Sequence, residues 1–134
     1  VALGSSVSYI VTDTSRSAGD VITWLKKNNL GRTTFYPLES MRPRGNDGNE
    51  RKACSEKGIH GIASELFFCD EEYSDLMDFI LGKTLIAENL DIARNVSAKY
   101  NYRLRLVTLD GQLVNPCGSK RILFLEERRR LMIF

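Results

Sequence analysis

An internal repeat constrains this sequence more than any other feature. The first copy begins with a Leu-Gly pair at Leu3 and continues through a short strand, a capped helix containing Ala18 and a β-rich segment. The second copy begins with the same pair at Leu81 and continues through the same elements, with Ala93 in its helix and a strand over residues 102–109. The 134 residues, an ordinary size for one domain, are therefore organised around two copies of one unit.

The two copies differ in what precedes them. Before the second copy, five apolar residues at helical spacing predict a helix that begins at Asp70: Tyr73, Leu76, Met77, Ile80 and Leu81. The sequence given opens at Val1, with no such helix ahead of the first copy. We therefore expect a strand and a helix upstream, so that this chain would start inside a larger domain.

Polar residues delimit the helices of both copies. Thr14 or Ser15 can cap the first helix, and Asn89 or Asp91 can cap the second, because short polar side chains accept hydrogen bonds from the first turn. Between the copies, residues 41–61 are rich in polar and turn-forming residues and predict a long exposed loop. Its basic side chains could contact phosphate, but the composition favours a solvated loop.

The strand predicted over residues 102–109 alternates in character. Leu104 and Leu106 fall on one face, while Arg103 and Arg105 fall on the other. This alternation predicts a half-buried strand with a basic outer face. The Asp-Gly pair that ends at Gly111 then predicts a turn into a short returning strand.

The net charge of +2 is unevenly distributed. Residues 1–118 carry 14 basic and 15 acidic residues, whereas residues 119–134 carry five basic and two acidic residues. The total charge is therefore poor evidence that the domain binds nucleic acid. Acidic residues from Glu65 to Asp78 have no lysine or arginine among them, which is typical of a solvated helix face but would also suit a surface that repels DNA or attracts a basic partner.

Motifs of catalysis and metal binding are missing from the sequence. Cys54, Cys69 and Cys117 form no C-x-x-C pair, and the single histidine, His60, has no cysteine at zinc-ligand spacing. The sequence lacks the G-x-x-x-x-G-K-[ST] loop of nucleotide-binding proteins and any apolar run approaching the roughly 18 residues of a membrane span. We therefore expect no enzyme activity, cofactor, metal, small-molecule substrate or membrane partner.

Two segments carry a family resemblance. They are LGRTTFYPL at residues 30–38 and VTLDGQLVNP at residues 107–116, and LGSSVSYIVTDT at residues 3–14 supports them. Together they resemble the hinge domain of SMC (structural maintenance of chromosomes) proteins, bacterial members in particular, over residues 1–118.

The resemblance implies an α+β fold with two lobes at the midpoint of a long antiparallel coiled coil. The first lobe would cover residues 1–40, the basic loop residues 41–61, and the second lobe residues 62–118. Residues 119–134 no longer resemble the family and would form a basic and apolar tail. The implied protein is a chromosome condensation and segregation ATPase, cytoplasmic and associated with the nucleoid, whose ATP-binding head segments lie outside this chain.

A second SMC hinge is the partner that the resemblance implies, and we expect a homodimer in which sheet edges add to one another. Bacterial members carry the pattern G-x5-G-G-x3-G-G at the edge of the second lobe. Gly111 and Gly118 match it and are assigned to the dimer interface, while Cys117, Ile122 and Leu123 depart from it. Bulky residues at those three positions should obstruct the contact, so a non-dimerising structural fragment is the alternative.

DNA is the second partner that the resemblance implies, through auxiliary and sequence-independent contacts to phosphate. The candidate residues for DNA binding are Lys26, Lys27 and Arg32 near the end of the first helix, and Arg103 and Arg105 on the strand face. For each of them, a solvated surface charge is the alternative.

Overall fold

The computed structural model describes residues 1–45 and 48–116, together with the backbone of a strand at Leu123–Glu126. The predicted tail and Gly118 therefore lie outside the described residues, apart from the backbone of that strand. Helices and two separate sheets give an α+β fold, as the sequence predicted.

The first lobe is built from strand β1 (Ile10–Thr12), helix α1 (Ser15–Lys27) and strand β2 (Phe35–Pro37). Short 3₁₀ turns at Gly4–Ser8 and Leu38–Ser40 flank them. β1 and β2 pair in parallel, with Val11 opposite Tyr36. Parallel pairing requires a crossover between the strands, and α1 supplies it.

A five-stranded sheet dominates the second lobe. Its elements are α2 (Asn49–Ala53), β3 (Ile59–Ile62), α3 (Ala63–Leu66), α4 (Ser74–Leu81), β4 (Thr84–Ala87), α5 (Leu90–Lys99), β5 (Arg105–Thr108), β6 (Gln112–Asn115) and β7 (Leu123–Glu126). The strands follow the order β3-β4-β5-β6-β7. β4 and β5 are parallel, and the other neighbours are antiparallel.

The internal repeat is confirmed as a strand–helix–strand unit with parallel strands in each lobe. Both helices begin at the expected caps. The Thr14 hydroxyl accepts a hydrogen bond from the Ser17 amide at 3.1 Å, and Asn89 Oδ1 accepts one from the Ile92 amide at 2.9 Å. Each cap satisfies an amide that the helix itself leaves without a partner.

The core lies in the second lobe. Its fully buried side chains come from α2, β3, β4, β5, β6 and α5, and include Ile62, Leu85, Ala93, Leu106 and Val114. Among the described residues of the first lobe, Ala18 is the buried apolar side chain. The lobes therefore differ in how much apolar surface they bury within this chain.

An aromatic ladder connects the lobes. The Tyr9 and Tyr36 rings lie 5.3 Å apart between centroids, and the Tyr36 and Phe79 rings lie 5.9 Å apart in an edge-to-face arrangement. The Arg44 guanidinium stacks on Phe79 at 4.3 Å from the ring centroid. Because Phe79 belongs to α4, this ladder packs the first lobe against the second.

The prediction of one exposed loop over residues 41–61 is wrong for its second half. That half contains α2 and most of β3, and Ala53 is fully buried in the core. A five-residue helix spans little more than one turn, so it leaves no apolar periodicity to detect in the sequence.

The prediction of a half-buried strand over residues 102–109 with a basic outer face is also wrong. Asn101 and Tyr102 adopt left-handed backbone conformations, so the strand begins only at Arg105. Val107, on the same side of the strand as Arg105, is buried, as is Leu106 on the other side. Both faces of β5 are therefore covered.

Candidate functional site

The strand β7 occupies the edge of the second-lobe sheet beside β6. Four residue pairs form this antiparallel ladder, with Gln112 opposite Glu126 at one end and Asn115 opposite Leu123 at the other. The residues of β6 that would be available to a partner strand are thus already paired with the same chain. Leu123, one of the departures from the family pattern, lies in this pairing strand.

Gly111 lies in the hairpin turn between β5 and β6. Its φ of 84° is in the left-handed region that favours glycine, and its amide donates a hydrogen bond to the Thr108 carbonyl at 3.0 Å. The Thr108 hydroxyl also accepts from the Gln112 amide at 2.9 Å and bonds the Asp110 carboxylate. A Cβ at Gly111 would lie 3.5 Å from a methyl of Val1, an ordinary contact. The turn therefore accounts for this glycine without a partner chain, and its assignment to the interface stays a prediction.

The first-lobe sheet has two strands, and within the described residues neither outer edge is paired. Large apolar side chains are exposed around this sheet and on α1: Val7, Ile10, Val11, Val21, Ile22, Trp24 and Leu30. Two strands rarely form a stable sheet alone, and parallel pairs need cover on both faces. This lobe therefore presents the incomplete sheet and the apolar surface that a further strand would cover.

Lys26 and Arg32, two of the candidate residues for DNA binding, share one surface feature of the first lobe. Both line an open groove of about 630 Å³ whose apolar wall includes Ile22, Leu25 and Phe35. The chain turns back after α1 through a left-handed Asn29 and Gly31, which brings Arg32 beside the helix end. Lys27 is exposed on the same last turn of α1.

The two arginines predicted on the β5 face have different surroundings. Arg103 is exposed just before β5. Arg105 is half-buried, and its Nη1 donates to the Ala2 carbonyl at 2.8 Å and to the Thr84 hydroxyl at 3.0 Å. Arg105 therefore fastens the amino-terminal segment to the sheet. Its partner carbonyl lies 103 residues away along the chain, a distance at which local sequence patterns give no signal.

A polar cluster joins the turn before β3 to the end of α5. Glu56 Oε1 accepts hydrogen bonds from Lys99 Nζ at 2.5 Å and from the Tyr100 hydroxyl at 3.2 Å. The Lys99 hydrogen bond, assisted by that of Tyr100, holds the pKa of Glu56 below its ordinary value, and the same contact raises the pKa of Lys99. The charges of Glu56 and Lys99 neutralise each other, and the two hydrogen bonds connect the turn before β3 to the end of α5. We call this contact of Glu56 with Lys99 and Tyr100 the clasp.

Part of the acidic stretch is also engaged, because Glu65 forms a two-pronged ion pair with Arg51, with the shorter contact at 2.6 Å. Burial raises the pKa of the Cys54 thiol, the opposite of what a nucleophilic cysteine needs. Across residues 1–45 and 48–116, acidic, histidine and cysteine side chains form no group of three or more that could hold a metal ion. Of the described helices, none is long and apolar enough to cross a bilayer.

Comparison with known proteins gives a consistent result. Residues 1–97 match the family model of the SMC proteins flexible hinge domain. Chromosome partition protein Smc of Bacillus subtilis is 39% identical over 120 residues, and that of Clostridium kluyveri is 38% identical over 119 residues. In both cases the match covers 89% of this chain and 10% of the relative, so the chain spans about a tenth of the length of these relatives.

Solved structures agree with the sequence comparison. The asymmetric dimer of the Geobacillus stearothermophilus SMC hinge domain superposes with a TM-score of 0.79 and 36% identity, over 88% of this chain and 49% of that one. The Pyrococcus furiosus SMC hinge domain superposes with a TM-score of 0.69 and 28% identity, over 92% of this chain and 59% of that one. With the family model, the curated relatives and the solved structures in agreement, the chain belongs to the SMC hinge domain family.

Proposed function

We propose that this chain is the dimerisation module of a chromosome-partition SMC protein and that its partner is a second copy of the same hinge. The observation that carries the proposal is the incomplete sheet of the first lobe, with unpaired strand edges among the described residues and exposed apolar side chains around it. A partner strand would supply main-chain hydrogen bonds, and its side chains would cover the apolar surface. The ATPase, the coiled-coil arms and the nucleoid association belong to the rest of such a protein.

Dimerisation is tested by light scattering after size exclusion, over a range of protein concentrations. The variant Ile10→Lys/Val11→Lys places two charges beside the β1 edge, which should oppose strand addition. We expect it to shift the monomer–dimer midpoint at least about tenfold to higher concentration, equivalent to about 1.4 kcal/mol. Leu66→Lys/Leu109→Lys is the matched control, since it adds the same two charges at exposed leucines in the other lobe.

The dimerisation proposal has clear contrary outcomes. A parent chain and a variant that cannot form the β6–β7 ladder (Phe124→Pro/Leu125→Pro) that both stay monomeric at every concentration would contradict it. An equal shift in Leu66→Lys/Leu109→Lys would assign the effect to general surface charge rather than to the β1 edge.

We also propose auxiliary DNA binding by the cluster of Lys26, Lys27 and Arg32. Three cations on one helix end and the following loop can neutralise adjacent phosphates, and the exposed Arg103 offers a separate contact. The half-buried Arg105 is a weaker candidate for contact with DNA phosphate, because its guanidinium already bonds Ala2 and Thr84.

Fluorescence anisotropy with a labelled duplex, repeated across salt concentrations, tests DNA binding. Lys26→Gln/Arg32→Gln should reduce the slope of log K against log salt by about 2, since each lost phosphate contact removes about 0.9. Arg16→Gln/Lys52→Gln removes the same charge from exposed positions elsewhere. Equal losses in both variants would show only a response to total charge and would count against the cluster.

A non-dimerising hinge fragment is the second candidate. The pairing of β7 with β6 favours it, because that ladder fills one edge on which a partner would otherwise dock. The same light-scattering measurement separates the two candidates.

A further inference from the structure

The edge of β6 is a strand-binding surface that this chain fills with its own β7. We propose that β7 is an internal cap, which competes in cis with a strand of a second hinge for the same main-chain groups on Gln112–Asn115. This inference rests on the proposed dimerisation function and adds its regulation. It follows from the register, because every residue of β6 has a partner in Leu123–Glu126.

Competition between a tethered strand and a free one favours the tethered strand. A segment joined by a short linker reaches its site at an effective concentration on the order of millimolar. A second hinge at about 1 μM would therefore be outcompeted about 1,000-fold for equal strand affinity. Capping in cis thus opposes dimerisation at this edge without any clash between side chains.

The cap can be displaced without opening the described core. β7 is a four-residue strand at the edge of the sheet, and among the described strands its neighbour is β6 alone. The described core lies in α2, β3, β4, β5, β6 and α5, around Leu85 and Leu106. Edge strands of this length have the lowest local stability in a sheet, so exchange of β7 for another strand is feasible.

The sequence explains why this chain can pair with itself here. The family pattern places glycines at positions 122 and 123, and glycine weakens a strand because it has no side chain to pack and loses more backbone entropy. Ile122 and Leu123 stand there in this chain. Leu123 is the first residue of β7, and because glycine is depleted in strands, its replacement by leucine at this position favours the internal ladder.

The test uses the full chain with Phe124→Pro/Leu125→Pro. Two adjacent prolines remove two consecutive amide donors and therefore cannot maintain the ladder, whichever of the two faces β6. Phe124→Ala/Leu125→Ala is the matched control, because it keeps both amides. Retained slow exchange of the β4 and β5 amides verifies that each variant is folded.

Amide exchange, measured at low concentration, reports on the cap. We expect the Gln112–Asn115 amides that bond β7 to exchange at least about tenfold faster in the proline variant than in the alanine control. Light scattering should then show dimers forming at lower concentration, by up to about 1,000-fold. Unchanged exchange in the proline variant would overturn the inference.

A synthetic peptide of residues 121–128 separates this inference from the dimerisation proposal. It should bind the proline variant and not the parent chain, as measured by anisotropy of a labelled peptide. Peptide binding without dimers would support the cap and count against dimerisation at this edge. Uncovered β6 amides with neither peptide binding nor dimers would overturn the inference, because the vacated edge would accept no strand.

Discussion

Arg105 joins strand β5 to two distant parts of the chain. Its guanidinium donates hydrogen bonds to the Ala2 carbonyl and to the Thr84 hydroxyl. Thr84 is 1% exposed, so its hydroxyl has no access to bulk water in place of Arg105. The sequence could predict that Arg105 lies in a strand. It could not predict its partners, because they come from distant parts of the chain.

Replacing Arg105 should therefore lower the stability of the fold more than it lowers the affinity for DNA. Arg105→Ala removes two hydrogen bonds and leaves a buried hydroxyl without that donor, which should cost about 1–3 kcal/mol. Arg103→Ala, at an exposed neighbour, should change stability by no more than about 0.5 kcal/mol. Urea unfolding of both variants measures the difference, and similar midpoints would contradict the anchoring role of Arg105.

Replacing Gly58 and Gly19 by alanine should change the free energy of unfolding in opposite directions. A Cβ at Gly58 would lie 2.3 Å from Ile92 Cδ1, and its φ of 85° disfavours any side chain, so Gly58→Ala should destabilise by about 1–3 kcal/mol. A Cβ at Gly19, within α1, would meet no heavy atom within 4 Å beyond its chain neighbours and the backbone of its own helix. Gly19→Ala should stabilise by about 0.5–1 kcal/mol. Thermal unfolding checks both, and the same sign in both would contradict the reasoning.

At the scale of elements, the sequence predicts helix ends correctly where the local pattern is strong and fails where the pattern is weak. The caps at Thr14 and Asn89, each predicted as one of two alternatives, are confirmed. α2 was missed because its burial depends on Ala53 packing into a core assembled from distant strands. Neither the β6–β7 ladder nor the hydrogen bonds of Arg105 could be inferred from periodicity, since both are tertiary pairings.

The clasp between Glu56 and α5 should make stability depend on pH at the acidic end. The folded-state pKa of Glu56 lies below its ordinary value of 4.5, so its contribution is fully present above pH 4.5 and is lost as pH falls through the lower, folded value. Glu56→Gln should flatten this part of the stability profile. Glu88→Gln, an exposed glutamate, is the control for removing one carboxylate. Parallel acid profiles for the parent and Glu56→Gln would refute the clasp.

At the scale of the whole molecule, the two lobes share a strand–helix–strand unit with parallel strands but have unequal cores. The second lobe buries a continuous apolar cluster, whereas the described first lobe leaves Trp24, Leu30 and Val7 exposed. The repeat predicted the shared unit. It could not predict the inequality, because burial depends on which elements cover each sheet.

Native-state amide exchange should reveal this inequality. We expect the amides of α1 to exchange at least about tenfold faster than those of β4 and β5 in the monomer, because local opening of the first lobe exposes little additional apolar surface. Dimerisation should slow the exchange of the first lobe selectively. Equal protection of both lobes in the monomer would contradict this account.

The bond between Arg105 and Ala2 also has a consequence for timing. Ribosomes add about 5–20 residues per second, so Ala2 is made on the order of 5–20 s before the residue that fastens it. Strand β1 can meet β2 much earlier, since Ile10 and its partner Phe35 are only 25 positions apart. During synthesis, the segment that contains Ala2 therefore lacks its hydrogen bond to Arg105 while β1 and β2 can already pair. It gains that bond only when β5 has been made.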